Sequence, residues 1–115
     1  MSNLTTHVLD TSQGKQAEGM KVQLFKIEYK KSVQLAEVIT NKDGRVDQKL
    51  LNSSNNVGIY ELRFFAGDYF NKENLKLTKI KFLAEITIRF GISDDTHYHV
   101  PLLISPYGYS TYRGS

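Results

Sequence analysis

The sequence contains no cysteine among its 115 residues. Disulfide bonds, thiolate metal sites and a cysteine nucleophile are therefore all excluded. A chain of this length can bury an adequate hydrophobic core without such cross-links, and it fits a single domain covering residues 1–115. The lack of cysteine is also compatible with a reducing compartment.

Strong charge and long apolar runs are missing as well. The formal net charge is only +3, with 23% charged residues and no long lysine or arginine run, so the sequence does not indicate a nucleic-acid partner. No apolar stretch approaches the length of a membrane span. Residues 1–7 have neither the basic start nor the apolar core of a secretory signal. We therefore expect a cytoplasmic protein without a membrane partner.

Most of the remaining sequence is typical of β-strands. Six segments are rich in β-branched or aromatic residues, several of them alternating with polar ones: 20–27, 33–40, 59–65, 82–92, 98–104 and 107–112. Turn residues separate them, and Asp43-Gly44 is the strongest turn signal. Many short strands with turns between them predict a β-sandwich.

One segment departs from the strand pattern. Asp68 can cap a helix, and apolar residues follow it at helical spacing, which predicts a single short helix from about Asp68 to Leu75. The lysine-rich stretch 76–81 lies between this helix and the next strand. We expect this connection to be exposed to solvent.

Two histidines are the main candidates for chemistry. His97 and His99 are two residues apart, so on a strand both side chains point to one face while Tyr98 points to the other. Two imidazoles on one face can move a proton or hold a metal. A metal needs further ligands, for which Asp94 and Asp95 are near in sequence. The simpler alternative is a pair of surface histidines.

Composition and spacing alone do not select a function from these alternatives. The sequence has no glycine-rich phosphate loop, no serine-centred nucleophile elbow and no metalloprotease helix motif. Arg45, directly after the Asp43-Gly44 turn, is ordinarily a solvated residue. Three of the last nine residues are tyrosines, which indicates either a tail that is held in place or an ordinary edge strand.

Four stretches of the sequence carry a resemblance to a known family. The block from His97-Tyr98-His99-Val100-Pro101 to Tyr112-Arg113-Gly114-Ser115 resembles the C-terminal signature of the transthyretin-related 5-hydroxyisourate hydrolases. Thr6-His7-Val8-Leu9-Asp10 resembles that family's first strand, and Thr40-Asn41-Lys42-Asp43-Gly44-Arg45 resembles its Thr-x-x-Asp-Gly-Arg turn. Gly67-Asp68-Tyr69-Phe70 matches the start of its short helix. The matches span nearly the whole chain in the expected order, and only residues 75–82 look longer and more basic than expected.

The resemblance implies a fold, an assembly and a reaction. The fold is an all-β, transthyretin-like (prealbumin-like) sandwich of two sheets, with about eight strands and one short helix. The assembly is a homotetramer with active sites at the subunit interfaces. The reaction is the hydrolysis of 5-hydroxyisourate, a product of urate oxidation, to 2-oxo-4-hydroxy-4-carboxy-5-ureidoimidazoline in purine catabolism. No cofactor and no metal are implied.

The resemblance also assigns site residues by matched position. A histidine near its ordinary pKa of about 6.5 can accept a proton from water, so we expect His7 and His99 to activate water jointly, with either one as the base. Arg45 offers a planar fork of donors to an anionic, carbonyl-rich ring, and a carboxylate at Ser115 could orient a histidine. His97 has only a supporting role. The expected catalytic residues are His7, Arg45, His99 and Ser115, and the expected substrate-binding residues are His7, Arg45, Tyr112, Arg113 and Gly114.

Two rival functions fit the same fold, because a fold does not determine a function. The first is a non-catalytic, transthyretin-like carrier of a small ligand; hormone carriers of that type lack the set formed by His7, His99 and the Tyr-Arg-Gly-Ser tail. The second is an adhesion or interaction module that uses exposed edge strands. It offers no reason for the histidine and arginine positions.

Overall fold

Two four-stranded sheets make up the fold of the computed structural model, which describes residues 4–51 and 55–114. The strands are β1 (Leu4–Asp10), β2 (Lys15–Gln16), β3 (Lys21–Glu28), β4 (Lys31–Ile39), β5 (Gly58–Phe64), β6 (Ile86–Ile92), β7 (Tyr98–Ser105) and β8 (Gly108–Thr111), and the helix α1 is Ala66–Lys72. One sheet has the order β2-β1-β7-β8 and the other β4-β3-β5-β6. The predicted all-β sandwich of eight strands with one short helix is confirmed.

Alternating side chains along the strands build the core between the two sheets. In β5, Tyr60, Leu62 and Phe64 point inward and are almost fully buried. Val100 and Leu102 of β7 face them from the other sheet and join the same apolar cluster. Full burial of one such aliphatic or aromatic side chain contributes about 1.5–3 kcal/mol. The inward faces therefore hold the sheets together and leave the outward faces available for other roles.

The pairing of β1 with β7 determines which side chains share an outward face. The two strands are parallel, with Thr5 opposite His99 and His7 opposite Pro101. Their inward side chains, such as Val8 and Val100, belong to the core. Thr5, His7 and His99 consequently lie together on the outer surface of this sheet.

The helix begins and ends earlier than the sequence pattern predicted, at Ala66 rather than Asp68 and at Lys72 rather than Leu75. It covers Ala66–Lys72, and Asp68 lies in its first turn rather than at the N-cap, which is Phe65 and has no side-chain capping bond. Burial explains the shift, because Ala66, Tyr69 and Phe70 pack into the core. The Tyr69 hydroxyl also donates a 2.8 Å hydrogen bond to the carboxylate of Asp10 at the end of β1. Tertiary contacts thus outweigh the capping signal.

Two strand boundaries also differ from prediction. β6 begins at Ile86 rather than at residue 82, because Ile86 pairs with Phe64, the last residue of its partner strand β5. β2 lies outside the predicted strand segments, and it pairs with just the last two residues of β1. Residues 76–81 are mostly exposed, as predicted. Over the described ranges of the chain, no helix has the length and apolarity that a membrane crossing requires.

Candidate active site

A threonine hydroxyl links two of the histidines on the outer face of the β1–β7 pair. Oγ1 of Thr5 lies 2.9 Å from Nε2 of His97 and 2.8 Å from Nδ1 of His99. The prediction that His97 and His99 share one face is therefore confirmed. His7 follows two residues later on the same side of β1, and its Nε2 forms a hydrogen bond with the side-chain oxygen of Gln16 in β2. The three histidines thus form one group.

Arg45 lies near this group because it directly follows a turn that packs against β1. The carbonyl of Gly44 accepts a 2.9 Å hydrogen bond from the backbone N–H of Val8, and the side chain of Asn41 accepts one of 3.2 Å from the N–H of Arg45. Gly44 has a φ of +74°, and a β-carbon there would lie 2.5 Å from the Val8 carbonyl oxygen. Only glycine combines that conformation with so close an approach. The turn therefore holds Arg45 beside the strand that carries His7.

The surroundings of His99 favour its neutral form. Partial burial lowers the pKa of His99 below the ordinary 6.5, and the nearby guanidinium of Arg45, with the neighbouring imidazoles of His7 and His97, lowers that pKa further. Thr5 occupies Nδ1 of the ring. Within residues 4–51 and 55–114, Nε2 of His99 has no hydrogen-bond partner. A neutral imidazole with a free nitrogen can accept a proton from water.

The backbone near the C-terminus lies directly against His99. The N–H of Gly114 donates a 2.7 Å hydrogen bond to the carbonyl of His99, and the two residues form an isolated antiparallel bridge. A β-carbon at Gly114 would lie 2.6 Å from Cδ2 of the His99 ring. At this position the tail contacts His99 through its backbone, which is a different contact from the predicted one at Ser115. Ser115 lies outside the described residues.

The structure does not bring the side chains of Tyr112 and Arg113 to the imidazole rings of the same chain; Arg113 meets His97 only at its backbone carbonyl, 3.5 Å from Nη2. The guanidinium carbon of Arg113 lies 4.0 Å from the centre of the Tyr98 ring, and Nη2 donates a 3.1 Å hydrogen bond to the Thr96 hydroxyl. Tyr112 is 61% exposed and lines a cleft of about 250 Å³ together with Tyr98. Tyr98 points into the sandwich, away from His99. Both side chains therefore lie on the Tyr98 side of β7 rather than among the histidine rings.

The carboxylates considered as metal ligands have other contacts or stand apart. Oδ1 of Asp94 accepts hydrogen bonds from the backbone N–H and the hydroxyl of Thr96, at 3.1 and 2.6 Å, and from the Tyr98 hydroxyl at 3.2 Å. In the part of the chain that the structure describes, no three His, Asp or Glu side chains are grouped so that they could hold a metal ion.

Two residues of the site were not singled out from the sequence. Thr5 precedes His7 by two positions on one strand, so the period of two could have placed it on the same face. Gln16 carried no comparable signal, because its position depends on the short pairing of β2 with β1. Both matter because each holds a ring nitrogen of a histidine.

Comparison with known proteins gives consistent matches over nearly the whole chain. A family model described as the HIUase/Transthyretin family matches residues 4–114. The 5-hydroxyisourate hydrolase 2 of Rhizobium meliloti (strain 1021) is 54% identical over 114 residues, which are 97% of this chain and 95% of that protein. Among solved structures, a 5-hydroxyisourate hydrolase of Klebsiella pneumoniae is 36% identical with a TM-score of 0.81 and 100% coverage of both chains.

A second solved structure is similar over a smaller share of its own length. The crystal structure of (S)-allantoin synthase is 43% identical to this chain with a TM-score of 0.92. The match covers 99% of this chain but only 44% of that one. The likeness therefore concerns one part of the larger protein.

Proposed function

The chain belongs to the HIUase/transthyretin family, and from this premise we propose that it is a 5-hydroxyisourate hydrolase that works through its histidine and arginine cluster. Relatives with that name match over nearly their full length. Two observations support the mechanism: His7 and His99 lie on one outer face of the β1–β7 pair, and Arg45 is near enough to lower the pKa of His99.

The reaction requires three groups around a flat ring. The oxygen of a water molecule bonds to a ring amide carbonyl carbon, the carbon–nitrogen ring bond breaks, and the leaving nitrogen takes up a proton. Such a step needs a base for the water, a donor for the developing oxyanion and a means of orienting the ring. The product is 2-oxo-4-hydroxy-4-carboxy-5-ureidoimidazoline, which places the reaction in purine (urate) catabolism. No cofactor is part of this proposal.

The contacts of each side chain support a division of roles. His99 is the base, because its environment favours the neutral ring and its Nε2 is free to meet water. His7 donates from Nε2 to Gln16, so Nδ1 is the nitrogen left for the reacting group, and a proton held there is supplied to the leaving nitrogen. Arg45 makes no side-chain hydrogen bond or ion pair with the described residues, and its planar fork is available to the carbonyl-rich ring.

The openness of the cluster supports a shared site. His7 and His99 are half-buried and Arg45 is exposed, so one chain encloses the substrate from one side only. We assign the remaining wall to a neighbouring copy in a homotetramer, whose Tyr112 and Arg113 would then contact the substrate. The backbone of Gly114 lines the site beside His99, and Ser115 remains a predicted catalytic residue.

The assay follows the absorbance of freshly generated 5-hydroxyisourate with and without the protein. The protein should speed the decay well beyond the spontaneous rate, which is the necessary control. His99→Ala should lower turnover by at least about 100-fold, the lower range of general base catalysis, with an unchanged urea midpoint. A folded His99→Ala protein with normal turnover would remove the base assignment.

The same assay separates the proposal from a carrier function. A carrier would bind the substrate or its analogues in calorimetry without changing the decay rate. A cytoplasmic location belongs to the proposal, and fractionation of the source cells tests it directly.

A further inference from the structure

The hydroxyl of Thr5 is the only polar group of β1 that contacts two ring nitrogens within the described residues. Its distances of 2.9 Å to Nε2 of His97 and 2.8 Å to Nδ1 of His99 are both those of hydrogen bonds. Thr5 and His99 are register partners in the parallel β1–β7 pair, so the backbone fixes their separation. This contact is a consequence of the fold rather than of a flexible side chain.

A hydroxyl that bonds two imidazoles ties their protonation states together. It has one hydrogen to donate and lone pairs with which to accept. When both rings are neutral, Thr5 can accept from the N–H of one ring and donate to the bare nitrogen of the other. Two arrangements result: either Nδ1 of His99 carries the hydrogen and Thr5 donates to His97, or the direction of both bonds is reversed.

These two arrangements differ in what His99 can do. If Nδ1 carries the hydrogen, the lone pair is on Nε2, the nitrogen that has no partner among the described residues. If Thr5 donates to Nδ1, Nε2 carries the hydrogen and cannot accept a proton. Only the first arrangement makes His99 a base at its free nitrogen.

We propose that Thr5 is a positioning residue that accepts the Nδ1 hydrogen of His99, donates its own hydrogen to Nε2 of His97, and thereby keeps the lone pair of His99 directed at water. The proposal rests on the proposed function, since it concerns the same base. It also gives His97 a role: the neutral ring of His97 is the acceptor that orients the Thr5 hydroxyl. An imidazolium at His97 would donate at both nitrogens, reverse the Thr5 hydroxyl and move the hydrogen of His99 to Nε2.

The direct test is the tautomer of His99, measured by long-range ¹H–¹⁵N correlation on protein labelled at its three histidines. The wild-type protein and Thr5→Ser should both show neutral His99 with the hydrogen on Nδ1. Thr5→Val, which keeps the branched shape and removes the hydroxyl, should shift the population towards Nε2–H. A wild-type His99 with its hydrogen on Nε2 overturns the proposal.

Kinetics provide the second readout on the same three proteins. Thr5→Val should lower kcat by about 10-fold with little change in KM, the size expected for losing one orienting hydrogen bond, and Thr5→Ser should restore most of it. Thr11→Val is the matched control, because the hydroxyl of Thr11, directly after β1, donates to the carbonyl of Ile104 in β7 at 2.8 Å without contacting a histidine. An equal loss in Thr11→Val, or no loss in Thr5→Val, overturns the proposal.

The two readouts keep this inference separate from the function it rests on. The NMR measurement needs no turnover, so a protein that shows the Nδ1–H tautomer through Thr5 and yet does not hydrolyse 5-hydroxyisourate would remove the proposed function and leave the tautomer assignment intact. If the wild-type protein hydrolyses the substrate but Thr5→Val leaves the His99 tautomer unaltered, the proposed function stands and the role of Thr5 is removed.

Discussion

At the scale of single residues, Gly114 is important because its lack of a side chain leaves room for the ring of His99. A β-carbon there would lie 2.6 Å from Cδ2 of His99, whereas carbon atoms in favourable contact are about 3.5–4.0 Å apart. Gly114 does not adopt a left-handed conformation. Glycine is therefore needed here to leave space for the His99 ring. A side chain at this position would displace that ring without straining the backbone.

Gly114→Ala should reduce turnover while leaving the fold nearly as stable. The added methyl group forces the His99 ring to turn, and a displacement of about 1 Å at a catalytic group can cost up to about 100-fold in rate. The measurements are kcat and the urea midpoint. Gly108→Ala is the matched control, since its β-carbon would meet only the Ser105 hydroxyl at 3.8 Å. Equal activity of both variants would contradict the role given to Gly114.

The pKa of His99 makes a prediction about the acid side of the activity profile. Burial, the charge of Arg45 and the neighbouring imidazoles of His7 and His97 lower this pKa below 6.5, so the ring stays neutral to lower pH than an ordinary histidine. The value of kcat/KM, which reports the free enzyme, should fall as pH drops and the base is protonated, with a midpoint below 6.5. In Arg45→Gln the midpoint of the pH profile should rise, because the charge that lowers the pKa of His99 is removed. This shift is expected even if total activity also falls. A wild-type midpoint above that of an ordinary histidine would be inconsistent with His99 as the base.

At the scale of elements, the turn at residues 41–45 matters through its contact with β1. Gly44 passes so close to Val8 that its carbonyl bonds the strand's N–H at 2.9 Å. This strand edge would otherwise present an unpaired donor. The turn thus completes the backbone pairing of β1. The same contact fixes the position of the Arg45 backbone.

Gly44→Ala should be more damaging than the same change at Gly14. Both glycines have a left-handed φ, +74° and +65°, so alanine costs each about 1–2 kcal/mol in backbone strain. At Gly14 the new β-carbon would have no atom within 4 Å, but at Gly44 it would lie 2.5 Å from the Val8 carbonyl oxygen. The turn must then move and take Arg45 with it. Urea denaturation and kcat/KM of the two variants check this prediction. Equal losses in Gly44→Ala and Gly14→Ala would show that backbone strain alone matters.

The elements also show what the sequence could and could not predict. The period of two located most strands and placed His97 and His99 on one face, because that pattern depends only on local geometry. The start of α1 was wrong by two residues, since burial of Ala66 and Tyr69 prevailed over the capping signal at Asp68.

The pairing of strands distant in sequence had no local signal at all. Thr5 and His99 are 94 residues apart, and no pattern in either stretch names the other as its neighbour. Only the family resemblance brought His7, Arg45 and His99 together in advance. The separate location of Arg113 on Tyr98 was not foreseen, because matched position says nothing about which way a side chain turns.

At the scale of the whole molecule, the outer face of the β1–β7 pair has a polar end and an apolar end. Thr5 and His99 are opposite each other at one end, and Leu9 and Leu103 are opposite each other at the other. Leu9 and Leu103 are half-buried and do not belong to the core cluster. A face of this kind suits contact with another copy of the chain, with the apolar end packed and the polar end left for substrate.

If the homotetramer completes the site, specific activity should fall on dilution as the assembly dissociates. Leu103→Glu places a charge on the proposed contact face and should move this loss to higher protein concentration. Leu35→Glu is the matched control, because Leu35 is 45% exposed on β4 of the other sheet. Sedimentation velocity and activity over the same concentration range provide the measurement. A monomer with full specific activity would exclude a shared site.

The parallel pairing of β1 with β7 also has a consequence for how the protein is made. A ribosome that adds roughly 5–20 residues per second completes β1 about 5–20 s before β7 exists to lie beside it. During that interval Thr5 and His7 belong to a strand without its main neighbour, exposed to chaperones and to other nascent chains. Because contacts so distant in sequence form slowly, the candidate active site is among the last parts of the newly made chain to fold.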